Sequence, residues 1–231
     1  MMTSRAILIL LLILVPTVPG YAAQTGPERW ISEANDVLKA DPVDAKAYYN
    51  RGTGFYEQGD HVNAAKDLSS SIALEPEASD SYFNRGLSYR RLHRNAEALV
   101  DFTKAVQLYP SQSVYHVERC NMLILMSDLD GAIAACSEAV RLSPEADSGY
   151  FLRGIAYMLR GDLNEGLADT IQTLQIWPGH PDAGRLMYET LLKRERLLGL
   201  PDLTRQEPNA TYPSANRSDS LLGRVYSTER S

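Results

Sequence analysis

The sequence predicts an all-α solenoid, and three observations carry that prediction. Pro42, Pro76, Pro110, Pro144 and Pro178 recur 34 residues apart, a fixed period of the kind that marks repeat arrays. Small residues keep the same interval, at Gly52, Gly86, Cys120 and Gly154 and again at Ala64, Ala98, Ala132 and Gly166. Rings hold a third register, at Tyr48, Tyr82, His116 and Tyr150.

The elements follow in chain order. Met1 to Arg5 is a short stretch with one positive charge, and Ala6 to Val15 is an unbroken apolar run. Pro16 and Pro19 end the run, and Gly20 and Ala22 place small residues at −3 and −1 of a cleavage after Ala22. This is the layout of a secretory signal peptide over residues 1–22, cleaved near Ala22 or Ala23. The apolar run is shorter than the roughly 20 residues a membrane span needs. Residues 27–40 then read as a lone helix, opened by Pro27. Trp30, Ile31, Ala34, Val37 and Leu38 fall on one of its faces.

With Ala45 as position 1, the units begin at Ala45, Ser79, Ser113 and Asp147 and span 45–78, 79–112, 113–146 and 147–180. Position 4 is a ring, positions 8 and 20 are small, position 11 is aromatic or Leu, and position 32 is Pro. This pattern resembles the tetratricopeptide repeat (TPR) family. The resemblance implies two antiparallel helices per unit, A and B, stacked as a right-handed solenoid. Gly59 and Gly161 can end an A helix in the left-handed conformation. Asp60, Asp128 and Asp162 can accept from the first N–H groups of helix B. The position-32 prolines stop each B helix. Residues 181–199 read as a closing helix, and the Pro-, Ser-, Asn- and Arg-rich residues 200–231 as a disordered tail. Asn209 and Asn216 open N-glycosylation sequons in that tail.

In an antiparallel pair turning near position 16, facing positions sum to 31 or 32. Position 8 then meets position 24, which sets Cys120 against Cys136. Export predicts a disulfide between them, and two buried thiols are the bland alternative. His116 adds a third possible metal ligand, but a structural zinc site wants four at tighter spacing. Position 7 is Arg51, Arg85, Arg119 and Arg153, while position 23 is Asp67, Asp101, Ala135 and Asp169. Structural ion pairs are expected at Arg51–Asp67, Arg85–Asp101 and Arg153–Asp169.

The net charge is −6 and no basic stripe is present, which argues against a nucleic-acid footprint and against anionic membranes. No phosphate loop, nucleophile elbow or His-rich motif appears, so neither an enzyme nor a cofactor or metal is expected. The TPR resemblance implies a concave groove lined by helix A. Here the groove positions hold Tyr49, Thr53, Tyr56, Phe83, Leu87, Arg90, Arg91, Val117, Asn121, Ile124, Phe151 and Ile155. Some members of the family hold a partner's C-terminal carboxylate with Lys and Asn where this chain has Tyr49 and Thr53, and that departure argues against such recognition. The implied role is an exported adaptor, with the periplasm as the expected compartment, that takes a protein or peptide in the groove. A self-associating structural array, such as a homodimer, is the alternative.

Overall fold

The computed structural model describes residues 26–198. The expected signal peptide, the tail and both sequons lie outside the described residues. Ten helices make up the described chain: α1 (Pro27–Ala40), α2 (Ala45–Glu57), α3 (His61–Leu74), α4 (Ser79–Arg91), α5 (Asn95–Leu108), α6 (Ser113–Leu125), α7 (Leu129–Leu142), α8 (Asp147–Arg160), α9 (Leu163–Ile176) and α10 (Ala183–Leu197). Each helix packs against its neighbours in sequence and hardly at all beyond the next unit. That is the quasi-one-dimensional contact pattern of a solenoid.

Local chemistry sets the helix ends. Asp44 Oδ1 accepts from Ala47 N at 2.7 Å, Asp60 from Asn63 N at 3.1 Å and Asp128 from Gly131 N at 3.0 Å. Asp162 departs from the expected capping role. Its carboxylate takes Arg160 Nε at 2.5 Å, and α9 has no side-chain cap bond. Position 15 turns the chain left-handed in every unit, at Gly59, His93, Ser127 and Gly161. Two of the four units therefore make this turn without glycine, although Cβ sterics disfavour it.

The close approach of A and B is visible at position 8. A Cβ on Gly52, Gly86 or Gly154 would meet Leu68, Phe102 or Thr170 at 2.9, 2.7 or 3.2 Å, in each case the residue at position 24. The third unit replaces this glycine-against-large packing with a covalent bond. Cys120 and Cys136 lie with their sulfurs 2.06 Å apart and their Cα atoms 5.5 Å apart, joining α6 to α7.

Position 7 ties three helices together. Arg51 grips Asp67 through Nε at 2.6 Å and Nη2 at 2.9 Å; Arg85 holds Asp101 at 2.8 and 2.7 Å, and Arg153 holds Asp169 at 2.7 and 2.8 Å. The remaining arm, Nη1, reaches back to the preceding B helix: Asn35 at 2.8 Å, Ser69 at 3.1 Å and Ser137 at 3.2 Å. Such bidentate forks are the strong form of charge-assisted hydrogen bond. Each guanidinium also lies over the position-4 ring of its unit, Tyr48, Tyr82 or Tyr150. In the third unit Ala135 replaces the acid, and Arg119 Nε is buried without a hydrogen-bond partner. His116 fills the ring position there and donates Nε2–H to the Pro110 carbonyl at 2.8 Å.

Two stability outcomes follow from this. The Asp101 side chain is 3% exposed, so Arg85→Ala leaves a buried carboxylate and should cost about 3–5 kcal/mol. Arg119→Ala removes no carboxylate partner and should cost less than about 1 kcal/mol. Urea unfolding of both variants checks the contrast, and equal costs would overturn the account of the fork. Reducing the Cys120–Cys136 bond, which spans a sequence separation of 16, should lower stability by about 3 kcal/mol in the chain-entropy picture. Paired unfolding curves with and without reductant measure that loss.

Candidate partner-binding groove

Helix A faces the inside of the curve. Successive A helices touch one another, α2 with α4, α6 with α8 and α8 with α10, whereas successive B helices do not pack to that degree. The inner face is therefore built from α2, α4, α6 and α8.

Its first half is a polar ladder between units. Asn84 Nδ2 donates to the Tyr49 hydroxyl at 3.1 Å and to Thr53 Oγ1 at 3.3 Å. Arg91 Nε reaches the Tyr56 hydroxyl at 3.5 Å, the long limit for such a bond. Burial, followed by Asp80, pushes the Tyr49 phenol above its ordinary value. The Tyr115 hydroxyl donates to Asp80 Oδ1, and burial together with that bond pushes its pKa up to about 12.

The apolar strip is partly committed to packing. Phe83 sits between Phe102 and Tyr115, with ring centroids 5.7 and 4.8 Å away, and Leu87 packs against the same cluster. Phe151 lies 4.3 Å from the His180 ring. Val117 and Asn121 are half-buried on α6. Ile124 and Ile155 are not groove surface. They are 3% and 7% exposed and belong to the core cluster around the disulfide, because α6 and α8 press their A faces together there.

Arg90 and Arg91 differ in the same way. Arg91 is exposed. Arg90 points at a carboxylate that the repeat pattern does not signal: its Nη1 lies 3.5 Å from Glu118 Oε2. Glu118 stands at position 6 of the third unit, where the second unit has Asn84. By register its counterparts on α4 are Phe83 and Leu87, the equivalents of the Tyr49 and Thr53 that Asn84 binds. Burial pushes the Glu118 carboxyl above its ordinary range, and the charges of Arg90 and Arg91 oppose that rise without cancelling it. Arg90 Nε and Glu118 Oε2 are both buried without a hydrogen-bond partner. The groove centre thus holds an incompletely satisfied Arg–Glu pair.

His180 closes the far end. Its Nδ1 accepts from Asp182 N at 3.2 Å and Ala183 N at 3.1 Å, so its proton sits on Nε2, 3.6 Å from Asp147 Oδ2. It caps α10 from outside the helix, which no short motif signals.

Profiles of the tetratricopeptide repeat match residues 79–112 and residues 31–71 and 126–181. The chain belongs to the tetratricopeptide repeat family. Solved TPR structures share the fold. YrrB, a TPR protein with an unusual peptide-binding site, superposes with a TM-score of 0.64 at 20% identity, covering 71% of this chain and 85% of that one. MamA from Desulfovibrio magneticus RS-1 gives 0.58 at 17% identity, over 68% of this chain and 94% of that one. TTC0263, a thermophilic TPR protein in Thermus thermophilus, gives 0.55 at 21% identity, over 70% and 89%. A comparison with curated proteins finds no match.

The raised Glu118 carboxyl yields a pH prediction for the TPR array. The native state holds this proton more tightly than the unfolded chain, so the group's contribution to stability falls as pH rises through and beyond the ordinary carboxylate range. Glu118→Gln should flatten that part of the profile and melt at a higher temperature than wild type at neutral pH. Thermal melts of both proteins across acid and neutral pH check this, and parallel profiles would reject it.

Proposed function

We infer that this TPR protein is an exported interaction scaffold whose concave groove takes a peptide or helix of a partner protein. The observation that carries the reading is the inner face itself. It combines half-buried Tyr49, Tyr56, Leu87 and Val117, the exposed cation Arg91, and an Arg90–Glu118 pair with unmet hydrogen-bonding capacity. Apolar surface in a groove with a few placed polar groups is what binding sites offer. YrrB, which has the same fold, carries a peptide-binding site.

Export belongs to this proposal. Its support is the signal-like sequence of residues 1–22 and a disulfide of the kind that persists in an oxidising compartment such as the periplasm. Among the described residues no helix is long and apolar enough to cross a membrane. Mass analysis of the protein recovered from an exporting host tests the point, with cleavage near Ala22 or Ala23 expected and an intact N-terminus opposed to it. A second reading, self-association, draws on a cleft at the array's N-terminal end that borders the first unit of the groove.

Arg91→Glu combined with Val117→Glu tests the groove. Both positions lie clear of the core clusters, so the helical circular dichroism should match wild type. The partner captured from envelope extract by the wild-type protein, once purified and titrated, should bind the variant at least about tenfold more weakly, as expected when a central contact is lost. Unchanged affinity would move the site off the inner face.

A further inference from the structure

Among the described residues, α1 is a helix B with no helix A of its own unit before it. It spans residues 27–40, one period before α3 at 61–74. Asn35 receives Arg51 as Ser69 receives Arg85 and Ser137 receives Arg153, so α1 stands in the helix-B place of a unit zero. The residues one period before α2, 11–24, contain Pro16, Pro19 and Gly20 and lack the repeat signature.

In the first unit, Gly52 of helix A faces Ala64, Asp67 and Leu68 of helix B. Those residues are 0%, 5% and 0% exposed. The equivalent α1 residues are Trp30, Glu33 and Ala34, with Val37 one turn on. Trp30 is 43% exposed and Val37 is 42% exposed, while Ala34, at 3%, forms the floor between them. All four line a cleft of about 520 Å³ whose opposite wall is α2, through Ala47, Tyr49, Asn50 and Thr53. A helix A of unit zero would lie there, since an A helix packs on its own B helix and on the next A helix.

The C-terminal end has the converse shape. α10 packs on α9 and α8, as a helix A does on the preceding unit, and no helix B follows it among the described residues. Its register positions 4, 8 and 11 are Gly184, Tyr188 and Leu191.

We propose that α10 of a second copy fills the α1–α2 cleft, so that two chains complete one repeat between them. Residue size supports this occupant. Facing positions set Gly184 against Val37, Tyr188 against Ala34 and Leu191 against Trp30. At the first two pairs, within units one, two and four, the large and small partners are reversed: a tyrosine faces Ser71, Ala105 or Thr173, and glycine faces Leu68, Phe102 or Thr170. Two helices of ordinary type would not show this matched inversion. Charge agrees with size. Glu28, Glu33, Asp36, Asp41 and Asp44 outnumber Arg29, Lys39 and Lys46 around the cleft, while Arg185, Lys193, Arg194 and Arg196 outnumber Asp182, Glu189 and Glu195 on and beside α10, where Asp182 pairs with Arg185. The contact joins two different surfaces, so it is heterologous and propagates instead of closing at two copies. It shares Tyr49 and Thr53 with the first unit of the groove but does not rest on the partner reading above.

Sedimentation velocity of the protein recovered from the exporting host, over a concentration series, tests the assembly. The wild-type mass should climb with concentration beyond two copies. Val37→Arg blocks the cleft at an exposed site, and Gly184→Glu blocks α10 where a Cβ meets nothing within 4 Å, so each variant should keep its helical content and remain monomeric. Mixing the two variants leaves one intact cleft and one intact α10, and the mixture should stop at two copies. The groove variant Arg91→Glu with Val117→Glu should assemble like wild type, which separates the two proposals. A wild type monomeric up to its solubility limit, assembly that survives either substitution, or a mixture that stays monomeric would each overturn the proposal.

Discussion

The arginine at position 7 holds the array together. Packing alone gives antiparallel pairs, because a glycine at position 8 lets the helix axes close on a large residue at position 24. It does not fix how one pair sits on the next. The guanidinium does both: two arms grip the Asp of its own helix B, and the third reaches the preceding B helix at Asn35, Ser69 or Ser137. The geometry of the fork thereby becomes the geometry of the superhelix, and the curvature places the A faces inward. An isolated surface ion pair would contribute about 0–1 kcal/mol. These carboxylates are nearly buried, so the array depends on their staying paired.

The third unit departs from that rule and compensates covalently. It loses the acid at Ala135 and the tyrosine rings at positions 4 and 11, where His116 and Leu123 stand. It gains the Cys120–Cys136 bond, which joins the same two helices one residue along from the missing pair. The exchange removes polar surface from the centre of the array. Around it gathers the largest apolar cluster, with Leu123, Ile124, Ile155, Ala156, Met158 and Leu186. The middle of the solenoid is thus stitched by sulfur and apolar burial, and its flanks by charge.

How much of this was legible in the sequence depended on whether a feature repeats. The helices, the A/B phase, the facing pairs 7/23 and 8/24 and the left-handed Gly59 and Gly161 all repeat, and each could be read from the 34-residue interval. Features whose residue type breaks the repeat were not legible. His93 and Ser127 take the left-handed turn without glycine. Asp162 trades its cap for Arg160 because a guanidinium competes for the same oxygen. Ile124 and Ile155 look like groove residues by position, yet the distance between neighbouring A helices decides whether such a side chain meets solvent or its neighbour. That distance is a tertiary quantity that no pattern of types encodes. His180 caps α10 across a turn, and Glu118 is a lone acid in a row that elsewhere holds Asn or Leu.

The same contrast bears on where specificity resides. A repeated residue offers every unit the same contact and cannot by itself mark a register for a ligand along the groove. A residue that breaks the period can. Glu118 breaks it where Asn84 would set the precedent. Asn84 spends its donors on Tyr49 and Thr53, whereas the register gives Glu118 the apolar Phe83 and Leu87 and leaves it with Arg90 at 3.5 Å. Burial without full satisfaction is costly, and the cost falls when a polar group arrives to complete the pair. Arg91, on the same turn, adds an exposed charge beside it. The ladder of Tyr49, Thr53 and Asn84 is internally satisfied, so on the proposed scaffold reading the binding preference of the inner face concentrates at Arg90, Arg91 and Glu118, the junction of the second and third units, next to the covalently fixed middle of the array.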